Sequence, residues 1–157
     1  MNPLFELIEK NEAFKKTVQV KKIHYPVNHI IVKEKEIHNE LFLIIKGGVR
    51  IISKGGLSEN KTIKPGLADM GAGDIFGEFC LFDDEPASAS VVAVEETDLY
   101  EIDSSSLKKF IHANHELGLS ITWYITSELV KRIRRSNKAV VDLLVWGLKA
   151  HDIDKHL

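Results

Sequence analysis

Cysteine is nearly absent. Cys80 is the one thiol in 157 residues, which excludes an internal disulfide, and its neighbours Phe79 and Leu81 mark it as a small buried hydrophobe rather than a redox centre. Long apolar runs are also missing: no window approaches the roughly 18–20 residues that span a bilayer. The opening MNPLFELIEK has no basic region leading into an apolar stretch, so no signal peptide is expected. A cytoplasmic protein without a membrane segment follows. Nor is there an excess of one charge, since 21 Lys and Arg against 23 Asp and Glu leave a net −2. That balance gives no global bias toward nucleic acid or anionic lipid. The most informative shortage is local, because no lysine or arginine occurs between Pro65 and Leu107.

What is present fits one domain with an appendage. The length supports a single core, and 44% hydrophobic with 28% charged residues is ordinary for a globular chain. Asn2 followed by Pro3 predicts a helix start, with Leu4, Leu7 and Ile8 on one face and Glu6 and Glu9 on the other. From Val18 the period changes to alternation. VQVKKIHY, HIIVKE, LFLIIKGGVRIISK, KTIKPGLADM, SASVVAVEE and TDLYEID are short runs rich in β-formers. Pro26–Asn28, Gly47–Gly48, Gly55–Gly56, Pro65–Gly66 and Gly71–Gly73 punctuate them, a pattern that predicts a β-sandwich or barrel. After Asp103 the pattern turns helical, first in SSSLKKFIHAN and then for more than about thirty residues without proline. Leu129, Ile133, Ser136, Val140 and Leu143 recur there at steps of four, three, four and three, the seam of a helix packed along either a partner subunit or the domain itself, with Ser136 and its neighbour Asn137 as its polar interruption. A homodimer seam is expected, because such a helix is longer than a small domain needs for its own cover.

GDIFGEFCLFDDEPASASVVA, from Gly73 to Ala93, reads as strand, glycine turn, short helical turn and a proline-led return into a strand. That is how a chain builds a cradle for a small anion. Gly77 lets backbone amides come close to a ligand, and Glu78 can accept hydrogen bonds from sugar hydroxyls, as acids that read ribose do. Together with LFLIIKGGVRI, EPASASVVAVEETDLYEID and the long helix, this stretch resembles the cyclic-nucleotide-binding domain of the catabolite activator (cyclic-AMP receptor) family over roughly residues 23–146.

The resemblance implies a mainly β, eight-stranded jelly roll with flanking helices and a long C-terminal pairing helix. It implies the division 1–16 for an N-terminal helix, 17–115 for the cyclic-nucleotide-binding-like jelly roll, and 116–157 for the dimerisation helix and tail. By the same match, Glu78 takes the ribose hydroxyl, the amides near Gly77 and Phe79 together with Ser88 face the phosphate, and Ser136 and Asn137 stand where the helix touches the base. Ala87 occupies the place of the family's phosphate arginine. Loss of one charge-assisted hydrogen bond, about 1.5–3 kcal/mol, weakens binding by about ten- to a hundredfold, and the nearby Asp83, Asp84 and Glu85 repel an anion further. A replacement cation has to come from elsewhere. KRIRRSNK, with Lys131, Arg132, Arg134, Arg135 and Lys138, is the nearest basic run, although such a run is ordinarily a solvated helix face.

The function expected is therefore a regulatory sensor of cyclic AMP or a related ligand, signalling through its last helix to an effector protein. A degenerate, non-binding dimeric adaptor is the alternative. A cupin-like metal enzyme is the third possibility, but His24, His29 and His38 lack the required spacing, and His112 and His115 fall on a helical stretch. No nucleophile–base set can be assembled, so neither catalysis nor a metal or other cofactor is expected. Only about ten residues follow Gly147, so direct DNA reading by this chain is not expected either.

Overall fold

The computed structural model describes residues 2–53, 55–58, 61–63 and 66–150. Pro65 of the expected Pro65–Gly66 turn and the tail after residue 150 lie outside the described residues.

The N-terminal segment forms two helices rather than the single one expected, α1 (Pro3–Lys10) and α2 (Glu12–Thr17). Asn11 divides them: its backbone leaves the helical region, while its side-chain oxygen accepts from the Phe14 amide at 2.8 Å and caps the second helix. Asn2 caps the first through the Leu4 amide at 2.9 Å and also donates to the carbonyl of Gly73 and the hydroxyl of Tyr124. One short side chain thus ties the start of the chain to a β-turn and to the last helix.

The strands are β1 (Val20–Tyr25), β2 (Ile30–Val32), β3 (Glu40–Lys46), β4 (Gly48–Ile52), β5 (Gly55–Ser58), β6 (Lys61–Ile63), β7 (Gly66–Gly71), β8 (Ile75–Phe76), β9 (Ser90–Ala93) and β10 (Thr97–Asp103). Two four-stranded antiparallel sheets form the jelly roll, in the orders β1-β10-β3-β8 and β2-β9-β4-β7, and β5-β6 is a separate hairpin. Gly55 and Gly56, expected as a separator, lie inside β5 and pair with Ile63 and Thr62.

Strand β3 explains how the layers stack. Leu41, Phe42, Leu43 and Ile44 are all buried, as in a strand covered on both faces. Leu41 and Leu43 point to a helical layer made with Leu4, Leu7, Phe14, Leu107, Phe110, Ile121 and Ile125. Phe42 and Ile44 point the other way, into the roll, where they meet Val49, Phe76, Val91 and Leu99. Phe42 and Phe76 stack at 4.8 Å inside the roll, and Phe14 meets Phe110 edge-on at 5.0 Å in the helical layer.

The helical layer is completed by α3 (Ser104–Ala113), capped by Asp103 through the Ser106 amide at 2.7 Å, and by the 36-residue α4 (His115–Ala150). Helix α4 leans on the domain through Ile121, Ile125 and Leu129 and then leaves it, since every residue from 133 to 146 is exposed. Because Leu129 turns inward, the free stripe lies one step round from the expected seam. It runs through Leu119, Trp123, Val130, Ile133, Val140 and Leu144, with Thr126 and Asn137 completing the four–three spacing. Asn137, not Ser136, is therefore the polar residue at its centre. No helix among the described residues is long and apolar enough to cross a membrane.

Candidate functional site

Strand β8 ends at Phe76, and Gly77 follows with φ +75°. A Cβ at Gly77 would lie 2.7 Å from the Glu40 carbonyl oxygen and 3.0 Å from His38 Cε1, so both the backbone angle and the space require glycine. The turn leads into a single 3-10 turn, Glu78–Leu81, whose first residue is directed inward. Glu78 is 3% exposed. A carboxylate so placed requires a partner, since an unpaired buried charge is strongly unfavourable.

Arg132 is that partner. Its Nη1 donates to Glu78 Oε1 at 2.6 Å, and its Nη2 donates to the backbone carbonyl of Ile75, so the guanidinium bridges the carboxylate and the end of β8. Among the five cations of the basic run, Arg132 is the one that faces inward. Lys131 pairs with Glu128 at 2.6 Å, and Arg134, Arg135 and Lys138 are exposed. The signal was present in the spacing, because Ile121, Ile125, Leu129 and Arg132 follow one another at steps of four, four and three along the domain-facing side of α4.

Cys80, one 3-10 step from Glu78, is buried and donates to the Gly77 carbonyl at 3.0 Å. Burial pushes its thiol up to about 11, which keeps it protonated and unreactive. Phe79 is half exposed beside it.

Ala87 lies in a backbone ladder, donating to the Glu36 carbonyl at 2.9 Å and accepting from the Lys35 amide at 2.8 Å. Its methyl packs against the cluster inside the roll, so a longer side chain at this position would start from the roll's interior wall. The ladder brings a cation near that the sequence analysis missed. Lys35 is exposed and sits in the left-handed region at φ +69°, a conformation that costs about 1–2 kcal/mol without glycine. Fifty-two positions separate Lys35 from Ala87, and nothing local in the sequence signals their pairing. Lys33 in the same segment is paired with Glu36.

Ser88 is exposed. Ser136 and Asn137 are exposed on α4, four and five residues beyond Arg132, or about 6–7.5 Å farther along the axis. Gly77, Glu78 and Phe79 thus form one unit that Arg132 joins to α4, Ala87 and Ser88 form a second, and Ser136 and Asn137 stand beyond the domain's edge. Among the described residues no His, Cys, Asp and Glu side chains cluster so as to hold a metal ion.

The profile of the cyclic nucleotide-binding domain family matches residues 22–114. The chain is 27% identical over 141 residues to the CRP-like cAMP-activated global transcriptional regulator of Mycobacterium tuberculosis, covering 90% of this chain and 59% of that protein. It is 30% identical over 120 residues to the cAMP-activated global transcriptional regulator CRP of Haemophilus influenzae, covering 76% of this chain and 50% of that one. The chain therefore spans about half to three-fifths of the length of these curated relatives. Among solved structures, a cyclic nucleotide-binding domain from Methylobacillus flagellatus superposes with a TM-score of 0.71 at 27% identity, over 78% of this chain and 67% of that one. The Thermus thermophilus catabolite activator protein gives 0.68 at 27% identity, over 91% and 63%. With the roll, the glycine turn and the inward glutamate all inside or beside the matched span, the chain belongs to the cyclic nucleotide-binding domain family.

Proposed function

We propose that this chain is a regulatory sensor rather than a catalyst, binding cyclic AMP or a related ligand weakly and signalling through α4 to an effector protein in the cytoplasm. The observation that carries this reading is the Glu78–Arg132 pair. A carboxylate suited to ribose hydroxyls is already held by the helix that would transmit the signal. A sugar that takes Glu78 competes with Arg132, and the competition gives α4 two positions of different ligand affinity, which is the differential binding that signalling needs. Released from Glu78, Arg132 is also a cation that could meet the phosphate in place of the arginine absent at position 87. Lys35 is the second candidate for that role.

The output surface in this reading is a parallel homodimer along the exposed stripe of α4. Trp123, Val130, Asn137 and Leu144 then take the a positions and Leu119, Thr126, Ile133 and Val140 the d positions. Asparagine at an a position favours a two-stranded register. The domain division of the resemblance, with the roll as receptor and α4 as transmitter, belongs to the same proposal.

A specific observation favours the second reading, a dimeric adaptor that binds no nucleotide: Glu78 is already satisfied by Arg132, and Ala87 supplies no charge. Calorimetry with cyclic AMP and cyclic GMP separates the two. The sensor reading expects binding heat in the wild type, and an at least about tenfold gain in affinity in Ala87→Arg. Silence to millimolar ligand in both proteins would establish the adaptor.

A further inference from the structure

We propose that residues 139–147 of α4 form a second self-association surface, through which two copies of the α4 dimer join end to end as a tetramer. This rests on the dimer of the preceding section, but it stands on a different observation. Val140, Val141, Leu143, Leu144, Val145 and Trp146 are all exposed, and they lie on more sides of the helix than one partner helix can cover. A two-stranded seam buries the a and d positions and leaves polar residues at the flanking e and g positions. One heptad earlier, α4 follows that rule, with Arg134 at e and Ser136 at g. At the tip the same two positions are Val141 and Leu143, and Val145 and Trp146 extend the apolar surface to b and c.

A second copy of the dimer fits this surface better than other occupants do. The tip is continuous with the seam, through Val140 at d and Leu144 at a, so dimerisation brings two tips side by side and merges their uncovered flanks. A stripe widened from a and d to both e and g is broad enough to face more than one neighbouring helix, as each helix of a four-helix bundle does. The single charge between Ala139 and Gly147 is Asp142, which falls at the outward f position, so a four-helix contact strands no charge. A lipid surface fits less well. The tip carries no basic cluster to hold anionic headgroups, because Lys138 and Lys149 flank Asp142 on one narrow polar strip.

Sedimentation and light scattering on the full chain test this, with Val141→Lys combined with Leu143→Glu as the tip variant. The wild type is expected at four times the 17.7 kDa chain mass, and the tip variant at half the wild-type mass with unchanged helical circular dichroism. A wild type that stays at two chain masses overturns the proposal. So does a tetramer that the tip variant leaves intact, or a tip variant that falls to monomer, because the tip would then only end the seam. Co-sedimentation with phosphatidylcholine–phosphatidylserine vesicles, lost in the tip variant and without a tetramer in solution, overturns it in favour of lipid. Ile133→Asp tests the seam separately: if it leaves the wild-type mass unchanged while the tip variant halves it, the seam reading fails and the tip contact stands.

Discussion

Replacing Arg132 with leucine removes the cation that pairs with Glu78 among the described residues and keeps much of the aliphatic bulk. Glu78 is buried, and the guanidinium is about one-quarter exposed, with side-chain values of 4% and 26%. Breaking a fully buried pair from one side costs about 3–5 kcal/mol, because the remaining charge is stranded. Partial exposure of Arg132 places this case near the lower end, about 2–3 kcal/mol. With a urea dependence of about 2 kcal/mol per molar, the unfolding midpoint falls by about 1–1.5 M. The assay is urea unfolding followed by circular dichroism at 222 nm, with protein concentration held constant because self-association adds to apparent stability. The diagnostic step is the double variant Arg132→Leu with Glu78→Gln. If the loss comes from a stranded charge, neutralising Glu78 restores part of it, and the cycle gives a coupling of about 1 kcal/mol or more. A single variant within about 0.5 kcal/mol of wild type, the size of an ordinary surface change, refutes the reasoning. A double variant as unstable as the sum of its parts refutes it too.

Two further outcomes follow from the same geometry. Gly77→Ala should unfold at lower urea by the equivalent of about 2 kcal/mol or more, combining the left-handed backbone cost with a Cβ 2.7 Å from the Glu40 carbonyl oxygen; an unchanged midpoint would mean the turn is not held as described. His24 bridges Asp98 and Glu96 at 2.8 Å each, and these hydrogen bonds, Asp98 first, raise its pKa above 6.5. A raised folded pKa means this contribution is complete below 6.5 and is lost as pH rises through the higher folded value. The wild-type melting temperature relative to His24→Gln should therefore fall with rising pH above 6.5, and a flat difference from pH 6 to 9 would exclude the clip.

Most of the strand runs, the cap at Asn2 and the glycine turn at 77 were legible because each is a local signal, whereas the reading of Ala87 as the place of a phosphate arginine rests on the family resemblance alone. Alternation, turn chemistry and a motif's residue types are read within a few positions of one another. The face of α4 was less legible. Leu129, Ile133 and Val140 belong to overlapping stripes that differ by a small rotation, and only the packing of Ile121, Ile125 and Leu129 on the domain shows which stripe is left free. Position 35 was not legible at all, since its nearness to Ala87 depends on a long-range ladder.

Sequence alone thus determined the short strands of a β-sandwich or barrel, the glycine turn at 77 and the lack of a lysine or arginine from Pro65 to Leu107, since those depend on residue type and short-range spacing, while the jelly roll itself was implied by the family resemblance. The tertiary structure decided that Arg132 enters and holds Glu78, because which of five neighbouring cations turns inward depends on the angle at which a long helix rests on the sheet. That angle is fixed by side chains packing from distant parts of the chain.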